Sequence, residues 1–238
     1  MDRDEVEELH FITSIDNLES ILMRGILSHN RARRIQHRSV ASEDVQDIRH
    51  GKSVPGGSSL HSYANLYFDA RNPMMYCLLD QPDLIVVRVS SEVLDIPNSV
   101  VTDGNAASGV TRFYPSPEGL RYLDSTQIFA WSWNDSDYWR KVEKKRVRNA
   151  EVLVPNLVPS EYIKGCYVDT RQKRRACLEF DDLLDPDVRA PFDSQAICLV
   201  RPDGYVACVV NQADVGSIAG YLRSIRRDPR PAAQGAAA

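Results

Sequence analysis

Apolar residues along this chain fall mostly into short runs or alternate with polar ones, and few stretches keep helical spacing. Leu9 to Thr13 reads as a short strand. Asp16 then fits a helix N-cap with Glu19 as its capping-box partner, Leu18, Ile21 and Leu22 form the apolar stripe, and Gly25 ends the helix. Residues 28–57 are polar and aperiodic, a long loop with a short helix near 42–49; such loops inside a domain are usually functional. Residues 63–69 read as a strand, after which Pro73 suits the first turn of a helix beginning near Met74. β-Branched residues mark a strand over 83–90, and 100–102 predicts another, followed by a loop of small residues over 103–108. Further strands are expected at 150–155 and 165–168, and 196–200 and 205–210 flank the Pro202-Asp203-Gly204 turn as a hairpin. Short strands outnumber dispersed helices, which predicts an α+β fold with a mixed or antiparallel sheet.

Length and composition change this picture little. The 238 residues, 43% hydrophobic and 26% charged, suit an ordinary globular protein, read as one domain over 1–227. Residues 228–238 cannot bury a core and predict a disordered tail. The net charge of -4 hides basic clusters at 31–38, 140–148 and 171–175, and local patches decide whether a protein meets a polyanion. Five scattered cysteines without C-x-x-C spacing read as buried free thiols of a reducing compartment. No histidine spacing fits zinc, so no metal is expected. An acidic N-terminus without an apolar core segment, and no run of membrane-spanning length, predict a cytoplasmic protein. A Rossmann fingerprint and a P-loop are both absent.

The chemically suggestive stretch is 147–155, where Glu151 opens an apolar run directly behind the densest basic segment. A carboxylate at the mouth of a buried strand is costly unless paired or employed. Taken alone, Glu151 could equally be an edge-strand residue behind a solvated charge run. Trp131, Trp133, Tyr138 and Trp139 precede that run, a combination of aromatics and cations that single-stranded nucleic acid favours, although clustered tryptophan is more often core.

Several segments, in order over roughly residues 9–170, resemble the DarT family of toxins that ADP-ribosylate bases of single-stranded DNA. They are residues 12–22 with Gly25, 45–49, Val54-Pro55, 60–63, the distinctive 66–76 run, Thr102-Asp103 and 150–154. The resemblance implies a compact ADP-ribosyltransferase-like split sheet with flanking helices, and NAD as the consumed substrate. It implies Glu151 and Arg49 as catalytic residues and a nicotinamide pocket lined by Phe11, Thr13, Asn17 and His10. Asn105 and the basic residues Lys144, Lys145, Arg146 and Arg148 are expected to meet nucleic acid. It also implies a macrodomain antitoxin as partner. The chemistry agrees: a carboxylate stabilises the cationic ribose that develops as nicotinamide leaves, and a guanidinium forks onto phosphate oxygens.

The sequence departs from the family in two places. Relatives carry histidine at the position of Phe11, whereas here His10 lies one residue earlier and so on the opposite face of a strand. Asn105 stands where thymidine-modifying members have histidine, and it can pair with a base but cannot shuttle a proton. Thymidine in single-stranded DNA is the expected acceptor. The alternatives are the same chemistry on guanine, RNA or protein, or a catalytically silent nucleic-acid-binding module.

Overall fold

The computed structural model describes residues 1–81, 83–170, 174–179, 196–200 and 206–211, with side chains through Tyr167. Its contacts divide the chain into two units, Met1–Tyr167 and Val168–Ala238. The expected tail and the Pro202-Asp203-Gly204 turn lie outside the described residues.

In the first unit the strands are β1 (Glu8–Ser14), β2 (Ile26–Leu27), β3 (Tyr63–Tyr67), β4 (Leu84–Ser90), β5 (Val100–Thr102), β6 (Phe113–Pro115), β7 (Glu151–Pro155), β8 (Leu157–Val158) and β9, which begins at Ile163. The helices are α1 (Leu18–Arg24), α2 (His29–Ala32), α3 (Glu43–His50), α4 (Pro73–Cys77), α5 (Ser125–Ile128) and α6 (Tyr138–Arg148). In the second unit, Ala196–Val200 and Val206–Asn211 pair antiparallel, as the sequence predicts.

Within the first unit the main sheet runs β9-β4-β1-β3-β7-β5-β6. Its halves are unequally joined. β1 pairs with β4 along all of Glu8–Ser14, and β3 with β7 along all of Tyr63–Tyr67. β1 and β3 share a single paired position, His10 with Tyr67. The sheet is therefore split at its centre, the geometry expected of the family, and all of these pairings are antiparallel. β7 lies between β3 and β5, so Glu151 is on an interior strand and not an edge.

Strand alternation assigns the faces. Tyr67 pairs with both His10 and Glu151, so these three side chains share one face. Leu9, Phe11 and Thr13 take the other. Glu151 lies between two apolar clusters on its face. One contains Ile12, Tyr67, Leu84 and Val86 with α4 residues Met74 and Met75, and the other contains Val54, Leu60, Tyr63, Ala106 and Leu153.

Two local expectations are corrected. Asp16 does not cap α1: a short 3-10 turn over Ile15–Asn17 comes first, with Ser14 accepting from the Asp16 amide. Asp16 pairs with Arg38 at 3.3 Å instead. Gly25 does end α1, at φ 80°, and a Cβ there would collide with the Val158 carbonyl as β2 and β8 pair. Among the cysteines, Cys166 is buried and free as expected, but Cys77 is exposed; the other three lie outside the residues with described side chains. Among the described residues, no helix is long and apolar enough to cross a membrane.

Candidate active site

Glu151 is the first residue of β7, and a side chain fixes it there. β5 pairs with β7 through Val100–Leu153 and Val101–Val152. At the next position the Thr102 hydroxyl takes over, accepting the Glu151 amide at 2.9 Å and donating to the Gly104 carbonyl at 2.7 Å. The chain then turns, and the Ala106 N–H donates to Glu151 Oε1 at 2.9 Å. Lys52 Nζ, bonded to the Ala107 carbonyl at 2.6 Å, and the Thr111 hydroxyl, bonded to the Asn105 carbonyl at 2.7 Å, hold this loop over the carboxylate.

Arg49 comes from the last turn of α3, the short helix expected within the long polar loop. Its Nη1 alone donates to both carboxylate oxygens, at 3.1 Å to Oε1 and 2.9 Å to Oε2. Arg49 is 6% and Glu151 1% exposed, so this is a buried ion pair. Burial disfavours the guanidinium charge, but the adjoining carboxylate outweighs it and raises the Arg49 pKa. Tyr67, opposite Glu151, has its phenol pushed well up by burial and then by the same carboxylate. It stays protonated and donates to Met74 Sδ at 2.9 Å. Among the described residues Oε2 accepts only from Arg49, which leaves that oxygen with acceptor capacity for a substrate hydroxyl or proton.

A family model described as the single-stranded DNA thymidine ADP-ribosyltransferase DarT matches residues 10–179. The chain belongs to the DarT family. It is 37% identical over 172 residues to a DNA ADP-ribosyl transferase-DNA ADP-ribosyl glycohydrolase fusion protein of Thermosipho africanus, covering 69% of this chain but only 43% of that protein. Thermus sp. 2.9 DarT in complex with ADP-ribosylated single-stranded DNA superimposes with a TM-score of 0.61 at 30% identity, covering 71% of this chain and 84% of the other. The NAD+ complex of the same Thermus protein gives 0.56 at 27% identity, covering 71% and 84%.

The other residues expected from the DarT resemblance separate clearly. His10 lies on the Glu151 face, but its Nε2 is 3.1 Å from Glu8 Oε1, while Nδ1 is buried without a partner among the described residues. Burial pushes Glu8 up, yet hydrogen bonds from His10, Arg88 and Tyr167 outweigh it and bring the carboxyl down to about 2. Phe11 and Thr13 lie on the opposite face, next to the split. Thr13 Oγ1 accepts from Asn17 Nδ2 at 2.9 Å. Asn17 also bonds the Arg38 carbonyl and amide, at 2.8 and 2.9 Å, and so ties the long loop to the end of β1.

The basic run is helical, and the helix distributes its cations unevenly. Arg148 is 2% exposed; it donates to Asp69 at 2.8 Å and to the carbonyls of Ile128 and Arg71. It is an internal brace that cannot meet nucleic acid, a correction to the sequence expectation. Arg146 is likewise engaged, with Asp103 at 2.8 Å, Glu143 at 2.7 Å and Thr111 at 3.1 Å, bracing the loop over Glu151. Lys144 pairs with Asp135 at 2.8 Å. Lys145 alone of the four is exposed without an ion pair among the described residues. Trp131 and Trp139, 80% and 75% exposed, are surface and not core. Arg71 stacks over Trp131 at 3.8 Å, and Trp133 meets Tyr76 edge-on. Asn105 sits beside Ala106, its Oδ1 accepting from Ala107 N–H at 2.8 Å.

Sequence reasoning assigns no role to Thr102, Tyr67 or the Ala106 amide. A threonine ending an apolar strand is the available signal for the first. A backbone N–H leaves none.

Proposed function

We propose that this protein transfers ADP-ribose from NAD to a base of single-stranded DNA, thymidine, and releases nicotinamide. The observation that carries the reading is the buried Glu151, held by Arg49 and the Ala106 amide one strand from the split, in a chain whose solved relative was captured with NAD+ and with ADP-ribosylated DNA. The nicotinamide-ribose bond breaks with its electron pair leaving on nicotinamide, and the base forms the new bond to the same ribose carbon while giving up a proton. Glu151 stabilises the ribose cation, and Oε2 accepts either a ribose hydroxyl or the proton from the base. Arg49 and the Ala106 N–H fix the carboxylate beforehand, so little reorganisation is needed as charge develops.

On the acceptor side, Trp131, Tyr138 and Trp139 supply faces on which bases stack, with Arg140 and Lys145 as exposed cations for the phosphates. Because Ala107 holds the Oδ1 of Asn105, the free end of that amide is a donor, suited to a thymine carbonyl. The Thermosipho relative joins transferase and glycohydrolase in one chain. We place this protein in the cytoplasm, beside the DNA, as a toxin restrained by a macrodomain antitoxin that removes the modification.

The test is mass spectrometry of single-stranded oligonucleotides of each base after incubation with NAD. An ADP-ribose adduct on thymidine that disappears in Glu151→Ala supports the reading. An adduct confined to RNA or protein, or full activity without the carboxylate, overturns it.

A further inference from the structure

Away from Glu151, the fold builds a second polar site. The short β2–β8 ladder meets the start of β3, and a cleft of about 440 Å³ opens there, lined by Ser28, Asn30, Arg31, Arg34, Ser62 and Asn156. Asn156 directly follows β7, whose first residue is Glu151. The cleft and the carboxylate therefore mark opposite ends of β7.

The lining consists of hydroxyls, amides and guanidiniums, with no carboxylate among them. Arg31 and Arg34 are exposed and form no ion pair among the described residues, unlike Arg38 and Arg49 nearby. Ser28 is 1% exposed, and its Oγ has no hydrogen-bond partner among the described residues. The rest of that residue is committed: its N–H donates to the Asn156 carbonyl at 2.8 Å, and its carbonyl receives the amides of Arg31 and Ala32. Asn156 adopts a left-handed φ of 67° and donates its own N–H to the Ser62 carbonyl at 2.8 Å. Asn30 Nδ2 reaches Ser62 Oγ at 3.2 Å. The floor of the cleft is thus pinned by backbone bonds, while among the described residues a buried hydroxyl has no partner and two exposed guanidiniums have no counter-charge.

We infer that this cleft is a phosphate-binding site, taking either the diphosphate of NAD or a backbone phosphate of the acceptor strand. Guanidiniums fork onto phosphate oxygens, and a hydroxyl and amides add directional donors at the same anion. Arg49, the cation that sequence reasoning assigned to phosphate, is engaged by Glu151, so phosphate must find its positive charge elsewhere. The two candidate sources rest on the transfer reading; the phosphate chemistry does not.

The experiment compares the full-length protein with Arg31→Gln/Arg34→Gln and, separately, with Ser28→Ala. Inorganic pyrophosphate is titrated calorimetrically as a probe independent of activity, and affinities for NAD and for a thymidine oligonucleotide are measured in parallel. We expect pyrophosphate binding to weaken tenfold or more in the arginine variant and severalfold in Ser28→Ala. A matching loss for NAD alone identifies the diphosphate as the natural occupant. A loss for the oligonucleotide, with its log-log salt slope falling by about 0.7 per phosphate contact removed, identifies the strand. Unchanged affinities for pyrophosphate and both substrates overturn the proposal. A protein that modifies no nucleic acid yet loses pyrophosphate binding in the arginine variant would refute the transfer reading and leave the phosphate site standing.

Discussion

The hydroxyl of Thr102 accepts the amide of Glu151 at 2.9 Å, just where the backbone pairing of β5 with β7 gives way to the loop that covers the carboxylate. One side chain therefore fixes both the start of β7 and, through Gly104, the turn that brings the Ala106 N–H onto Oε1. Thr102→Val keeps the shape and removes both bonds. The expected result is a loss of about 1–3 kcal/mol in urea unfolding, the penalty of a buried unsatisfied amide. Turnover should fall more than NAD affinity does, with Thr102→Ser close to wild type. Equal behaviour of the valine and serine variants would refute this role.

Arg49 and Glu151 share a buried ion pair in which one nitrogen touches both oxygens. Removing one partner leaves a buried charge, so Arg49→Ala should cost about 3–5 kcal/mol of stability. Lysine keeps a cation, and because Nη1 alone makes both contacts, a planar fork is not needed to hold the carboxylate. Arg49→Lys should therefore lose less than half as much in the same denaturation experiment. An alanine variant as stable as wild type would show that water replaces the arginine freely.

Lys145 and Arg148 lie three residues apart in one basic run and should respond in opposite ways. Lys145→Ala should leave thermal stability unchanged while lowering the salt slope of oligonucleotide binding by about 0.7. Arg148→Met should lower stability by several kcal/mol, because Asp69 and two carbonyls lose a shared donor. Thermal melts and salt-dependent binding of both variants distinguish the roles, and an Arg148→Met protein with wild-type melting contradicts the brace.

His61 stacks on His29 at 4.0 Å, and burial, followed by the charges of His29, Arg49 and His50, lowers its pKa to about 4. Unfolded, the same imidazole titrates near the ordinary 6.5. Between these values the unfolded chain binds the proton and the folded one does not, so stability rises with pH there. Folding stability should therefore fall as pH drops from about 6.5 towards 4. His61→Phe should flatten that slope in urea unfolding at a series of pH values. Glu8 acts lower: its folded pKa of about 2 against an ordinary 4.5 gives stability that is lost only as pH falls below 4.5 and through 2. An unchanged slope in His61→Phe would assign the dependence to other groups.

The sequence by itself determined the longer strands of the first unit and the fold class, and its resemblance to the DarT family pointed to the two residues of the buried pair. Alternation and β-branched runs are local properties, which is why 84–90, 100–102 and 151–155 are legible as strands from the residues alone. Glu151 stands out because a carboxylate entering an apolar run needs a reason. The tertiary structure alone decided what the cations do. Lys145 and Arg148 look alike in a charge run, but α6 turns one to water and buries the other against Asp69, and partners so distant in the chain leave no local signature. The same holds for the residues at which the sheet splits, His10 and Tyr67, and for the Ala106 amide on Glu151. Each depends on where strands far apart in sequence come to rest, and that is set by long-range packing.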